Sequence, residues 1–231
     1  MPIDAVLFDF SGTLMRVEPA VSWVRAALRM TGRSLDDADV ARYAAELESA
    51  GALPGGQSPR SIPPGLQGLW DERDRDITHH RDLYVALSHQ VPLPYPELYD
   101  ALYERHWDPA AWHPYPDAEP VLRELARRNV GVAVVSNIGW DVRPVFRAHG
   151  LDDLIATYAL SFEHGIQKPD ARLFAVACDA LGVAPEHALM VGDDAVADAG
   201  AAAIGCAVHL VRHRPVDQRP DGLLPVLRLV G

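Results

Sequence analysis

Lysine is almost absent from this chain: of its 21 Lys and Arg residues, 20 are arginine, and Lys168 is the only lysine. Arginine has taken nearly every place where the two are interchangeable. Position 168 is therefore expected to need a compact ammonium that a planar guanidinium cannot mimic. Cysteine is scarce too. Cys178 and Cys206 both lie in apolar stretches, which argues against a disulfide framework and for a reducing, cytoplasmic setting. No apolar run reaches the ~18 residues of a membrane span. The first apolar stretch has no basic region ahead of it and ends at Asp9, so it reads as a strand and not as a secretory leader. Positive charge is deficient overall: 32 acidic residues against 21 basic ones leave a net charge of −11. That balance speaks against nucleic acid or an anionic membrane as a partner. It leaves room for a small anionic ligand, because a local site can oppose the global sign.

What the chain does have is 48% hydrophobic residues in 231, enough for one α/β core with a smaller insertion. Residues 3–8 read as a buried strand closed by the turn signal SGT. The pattern then turns helical. Residues 20–30 place Val21, Val24 and Leu28 on one face. Ser34 reads as the N-cap of a helix carrying Val40, Tyr43, Ala44 and Leu47, stopped at Gly51. Residues 51–68 are too rich in Gly and Pro for either period and read as loop. Residues 70–88 read as one helix with a stripe of Trp70, Ile77 and Tyr84 interleaved with Arg73, His80 and Leu87. Another helix follows Pro96, and DPAAWHPYPD reads as an extended return linker.

From residue 117 helices alternate with apolar runs: VGVAVVSN, YALSF, ALMVGD and CAVHLV. Such runs indicate parallel strands covered on both faces. The expected fold class is α/β, a doubly wound, Rossmann-like parallel sheet. Residues 1–14 and 114–231 would form the core, and residues 15–113 an inserted all-helical cap.

Ligands of open parallel sheets bind beyond the carboxyl ends of the strands. Those ends carry Asp9, then Ser136 and Asn137, then Asp193, Asp194 and Asp198, with Lys168 just before the helix opened by Pro169. The ordered set DFSGTL (9–14), VVSN (134–137), QKPD (167–170) and VGDDAVAD (191–198) resembles the haloacid dehalogenase superfamily, whose members are mostly phosphatases. The resemblance implies that Asp9 attacks phosphorus and forms an aspartyl-phosphate. Gly12 would let the backbone turn closely around the transferred group. Thr13 and Ser136 would donate hydrogen bonds to its oxygens, with Ser11 and Asn137 beside it, and Lys168 would neutralise charge. Mg²⁺ would be held by Asp9, the Ser11 carbonyl and Asp193. Asp198 would orient a metal-bound water, and Asp194 is either a third acidic contact or a solvated neighbour. The implied partner is a small phosphorylated metabolite, and the protein is expected as a monomer or homodimer.

Ser11 departs from the pattern. Most phosphatases of the superfamily hold a second aspartate there, as general acid and base. A serine hydroxyl cannot do that work near neutral pH. Three readings follow: a phosphohydrolase of specialised or reduced activity, a phospho-ligand binding module, and a 2-haloacid dehalogenase. The last is disfavoured by the acidic pair Asp193 and Asp194, which would repel a haloacid. In the helical region His80, Arg73 and Arg60 are candidates to reach the cleft. The competing reading leaves His80 and Arg73 at a helix-packing edge. Trp23 and Trp112 read as core or hinge packing.

Overall fold

The computed structural model describes residues 2–230. Strands β1 (Ala5–Phe8), β4 (Gly131–Ser136), β5 (Thr157–Leu160), β6 (Ala188–Gly192) and β7 (Ala207–Leu210) form one parallel sheet in the order β5-β4-β1-β6-β7. The fold is the expected α/β class. A short antiparallel pair, β2 (Met15–Val17) and β3 (Trp112–Pro114), closes the two passages between the sheet and the intervening helices. β3 lies in the stretch read as an extended return linker: its ladder with β2 ties the outgoing and returning chain together.

Alternation along the strands sorts two cores. Val6, Phe8, Val132, Val134, Leu189 and Val191 face the larger one, with helices α6 (Ala118–Arg127) and α7 (Arg143–Ala148). Leu7, Ala133, Val135, Ala188 and Met190 face the other, against α9 (Ala171–Leu181). Short helices α8 (Ser161–His164) and α10 (Val226–Leu229) complete this part. Trp112 is fully buried and meets Phe10 and Trp140. Trp23 is equally buried, its indole N–H donating to the Leu102 carbonyl at 2.8 Å.

Between β2 and β3 lie α1 (Ala20–Thr31), α2 (Asp37–Ser49), α3 (Gln67–Glu72), α4 (Ile77–Ser88) and α5 (Leu98–Glu104). Several local expectations are corrected here. Val21 lies on the outer face of α1, while Trp23, Val24 and Leu28 are buried. The cap of α2 is Asp36, not Ser34; its carboxylate accepts from the Asp39 N–H at 2.8 Å. The single helix expected over 70–88 is two. Asp76 caps α4 by accepting from the N–H groups of Thr78 and His79, and the break leaves Ile77 half exposed. Among the described residues no helix is long and apolar enough to cross a membrane.

The junction of β2 and α1 carries a buried ion pair. Arg105 Nε donates to Glu18 at 2.7 Å, and both side chains are 8% exposed. Arg105 also donates to the more exposed Asp108 at 2.5 Å. Glu18→Ala leaves the buried guanidinium with only the exposed Asp108 as a partner and is expected to cost about 3 kcal/mol of stability, because the poorly compensated charge outweighs the lost contact. Glu18→Leu combined with Arg105→Met removes both charges and should recover most of that loss. Urea unfolding of the two variants checks this; a double variant less stable than Glu18→Ala would contradict it.

Candidate active site

Register builds the site. Phe8 stands opposite Val134 on one side and Val191 on the other. One step beyond Phe8 is Asp9, so the ends of β4 and β6 deliver Ser136 and Asp193 around it. A hydrogen bond from the Asp9 N–H to the Val191 carbonyl, 2.9 Å, fixes the step. The chain then turns through Gly12 at φ +81, where a Cβ would run into the Asp193 carboxylate and the His213 ring. Only glycine fits there.

Lys168 is the hub. Its ammonium donates to Asp9 at 2.9 Å and to Asp198 at 2.6 Å, with 3% of the lysine side chain exposed. Ser136 Oγ donates to the same Asp9 oxygen at 3.0 Å. Asp198 is fully buried and its second oxygen accepts from the Asp194 N–H at 2.9 Å. Asp9, Asp193 and Asp198 each offer an oxygen, and all three lie within 4.8 Å of one another.

Burial pushes the Asp9 carboxyl up to about 7; Lys168 opposes the shift, while Asp198 and Asp193 add to it. Burial alone would lower the Lys168 ammonium, but Asp9 and Asp198 outweigh it and hold it raised.

Some expected contacts are placed differently. The Thr13 hydroxyl is buried and directed at Asp193, at 3.5 Å. Asn137 spends its amide on the lysine backbone: Nδ2 donates to the Lys168 carbonyl at 2.9 Å, and Oδ1 accepts from the Lys168 N–H at 2.6 Å. Asp194 stands apart from the three-carboxylate cluster; its side chain closes a turn by accepting from Val196 and Ala197.

Asp9, Ser11, Ser136, Lys168, Asp193 and Asp198 share one cavity of about 240 Å³ with Trp70, Arg73, Asp74, His80, Tyr84 and Trp140. His80 and Arg73 both reach its wall. His80 is buried, bonded through Nδ1 to the Tyr103 hydroxyl at 3.0 Å and packed on Gly139. Burial, with help from His106 and Arg73, keeps it well below the usual imidazole range, so it is neutral. Arg73 stacks on Trp70 at 4.2 Å and meets Asp74 at 3.3 Å. Core loops clip this wall in place: Gln167 accepts from the Asp74 N–H at 2.8 Å, and Ser161 donates to the Asp74 carbonyl at 2.5 Å. Arg60 lies elsewhere, beside Glu46 and Gln90.

Sequence reasoning missed His213, Asp74 and Trp140. His213 contacts the Asp193 carboxylate through Nδ1 and Arg16 through Nε2. A signal existed, since His213 follows the last strand as Asp9 follows the first; the exposed residues of β7 made that strand end less conspicuous.

The family model of haloacid dehalogenase-like hydrolases matches residues 3–204. The chain is 44% identical over 81 residues to the phosphoserine phosphatase of Thermus thermophilus, covering 35% of this chain and 32% of that protein. It is 29% identical over 211 residues to the ribulose-1,5-bisphosphate 5-phosphatase of Halopiger xanaduensis, covering 87% of this chain and 81% of that one. In structure it is similar to an HAD phosphatase from Thermococcus onnurineus, with TM-score 0.57, 25% identity, and coverage of 91% of this chain and 86% of that one. Against several curated relatives the match spans only about a third to a half of their length.

The carboxylate cluster makes stability depend on pH in a stated direction. Folded Asp9 titrates near 7, against about 4 for an unfolded carboxylate. Between those values the native state holds a proton that the unfolded state has released, so this group's contribution falls as pH rises. Lys168→Met removes the opposing cation and should steepen the fall. The loss is expected to be about 3–5 kcal/mol at pH 8 and clearly smaller at pH 5. Urea titrations at both pH values, with chelator present, measure it. Equal losses would contradict the assignment.

Proposed function

This chain belongs to the haloacid dehalogenase-like hydrolases, and from that premise we propose that it is a phosphohydrolase acting on a small phosphorylated metabolite through Asp9. The carrying observation is the convergence of Asp9, Lys168, Ser136 and Asp193 on one cavity. Relatives named as phosphatases support the reading.

In the first displacement an Asp9 carboxylate oxygen bonds to phosphorus while the bond to the leaving oxygen breaks. In the second, a water oxygen attacks the same phosphorus, the Asp9–phosphorus bond breaks with its electron pair returning to the carboxylate, and phosphate leaves with the water's protons on its oxygens or released to solvent. Lys168 holds Asp9 in place and offsets charge gathering on the phosphoryl oxygens. Ser136, donating to Asp9 in the free protein, is in reach to donate to the phosphoryl group instead.

Three clustered carboxylates, all hard oxygen donors, fit a divalent cation of the Mg²⁺ kind. Asp9, Asp193 and the Ser11 carbonyl would hold it, with Asp198 behind them. Bound there, Mg²⁺ supplies positive charge that lets an anionic substrate approach acidic residues. The same carboxylates disfavour a metal-free haloacid site.

Ser11 lines the cavity but cannot protonate a leaving alkoxide. General acid-base assistance is worth ~10² to 10⁴ in rate. Acyl phosphates, phosphoanhydrides or activated phosphonates, whose leaving groups depart without a strong proton donor, therefore suit the site better than sugar phosphates do.

Two measurements test the reading. Calorimetric titration of Mg²⁺ should give binding heat with the native protein and little with Asp193→Ala; equal heats would remove the metal assignment. A panel of phosphomonoesters, acyl phosphates, phosphonates and 2-haloacids, assayed with Mg²⁺ and with chelator, identifies the reaction. Metal-independent halide release would favour dehalogenation, and silence with retained phosphate binding would favour a binding module.

Ser11→Asp should raise activity on alkyl phosphates more than on p-nitrophenyl phosphate, by up to the ~10² to 10⁴ of acid catalysis. A fall on every ester would mean that the serine serves a different chemistry.

A further inference from the structure

The segment after β7 lies beyond the residues matched by the family model, yet it returns to the loop that carries Asp9. Three ties hold it. The Tyr115 hydroxyl donates to the Arg214 carbonyl at 2.6 Å. The Asp117 carboxylate accepts from the N–H groups of Leu223 at 2.5 Å and Leu224 at 3.2 Å. Arg128 donates to the carbonyls of Leu227 at 2.7 Å and Val230 at 3.0 Å.

These ties seat Arg219, which is 4% exposed. Its guanidinium lies 3.2 Å from the centroid of the Tyr115 ring. One nitrogen donates to the Gly12 carbonyl at 2.7 Å, and another donates to the Thr13 carbonyl. Gly222 leaves room for the stem, since a Cβ there would lie 2.7 Å from Arg219 Cδ.

This placement is unusual for a buried cation. Among the described residues no carboxylate forms an ion pair with Arg219; the other buried arginine, Arg105, has Glu18. Burying a guanidinium against neutral carbonyls is costly and is a poor way to anchor a tail that already has three ties. It is a good way to fix two consecutive peptide groups. The Gly12 carbonyl shares its peptide with the Thr13 N–H, and the Thr13 carbonyl shares its peptide with the Leu14 N–H, which donates to Phe10 at 3.1 Å. A cation on both oxygens pins the turn after Asp9 and polarises both amides. It also brings fixed positive charge behind a site where three carboxylates face one ammonium.

We propose that Arg219 is a positioning residue for the Asp9 loop, holding the Gly12 and Thr13 peptides in the geometry that receives a phosphoryl group and strengthening oxyanion binding there. The oxyanion part rests on the phosphohydrolase reading; the positioning part does not.

The test compares Arg219→Met, Arg219→Lys and Tyr115→Phe. The last loosens the tail without removing the guanidinium. Two quantities are read: orthovanadate affinity in Mg²⁺, and amide hydrogen exchange over residues 10–15. Arg219→Met should weaken vanadate binding about tenfold, the worth of one charge-assisted hydrogen bond, and speed exchange within residues 10–15. Arg219→Lys should fall between it and the native protein. Tyr115→Phe should speed exchange in the tail while keeping native vanadate affinity.

Native vanadate affinity in Arg219→Met, or an equal loss in Tyr115→Phe, overturns the proposal. If Arg219→Met does not fold, Arg219→Lys decides alone: native exchange and native affinity in it overturn the proposal. If the native protein binds no vanadate, the phosphohydrolase reading fails and the oxyanion part falls with it. Exchange over residues 10–15 then judges positioning, which unchanged protection in Arg219→Met would overturn.

Discussion

One buried ammonium holds this end of the sheet together. Asp9 and Asp198 arrive from different strand exits and are largely removed from bulk water. Without Lys168 their charges would oppose each other in a low-dielectric pocket. The surrounding structure serves to keep that ammonium in place. Asn137 clasps the lysine backbone with both halves of its amide. Gln167, one residue earlier, ties the same loop to the Asp71 carbonyl and the Asp74 N–H. The loop that carries the cation is thus also the loop that fastens the cavity's far wall. A change that shifts Lys168 would be felt on both sides of the cavity.

The sheet was legible in the sequence because its central strands β1, β4 and β6 are buried on both faces and read as unbroken apolar runs. Strand exits then pointed to Asp9, Ser136, Asp193 and Asp198, and the lone lysine ahead of the helix opened by Pro169 pointed to Lys168, without any tertiary information. The lone lysine among arginines was a usable signal too: its ammonium is enclosed by Asp9 and Asp198 with almost none of the side chain exposed. Directions of side chains were not legible. Thr13 and Asn137 are the residue types that donate to phosphate, but competing partners nearby, the Asp193 carboxylate and the Lys168 backbone, claim them in the folded chain. Nothing in a one-dimensional pattern ranks such partners.

The helical region was read less well, and the reason is physical. A stripe at positions 70, 73, 77, 80, 84 and 87 is what one continuous helix would present. Asp76 can instead start a new helix by capping the N–H groups of Thr78 and His79. The choice is made by tertiary contacts at 71–74, where Ser161 and Gln167 take up backbone groups that a continuous helix would have used. The C-terminal segment poses the same problem at longer range. Arg219 reaches residues 12 and 13 across more than 200 positions, and its role lies in bonds to backbone carbonyls, which leave no residue-type signature at the receiving end.

Ser11 gains its meaning from this crowding. Asp9, Asp193 and Asp198 already cluster beside one lysine, and burial with mutual repulsion lifts Asp9 far above the usual carboxylate range. A carboxyl at position 11 would add a further acidic group beside that cluster, and the serine adds none. The serine hydroxyl supplies no proton near neutral pH and leaves the cluster undisturbed. The backbone carbonyl of residue 11 is the same whichever side chain follows it, so metal and nucleophile need not be lost with the acid. What Ser11 removes is general-acid help to the leaving oxygen and general-base help to the attacking water; substrates whose leaving oxygen needs no proton escape only the first loss.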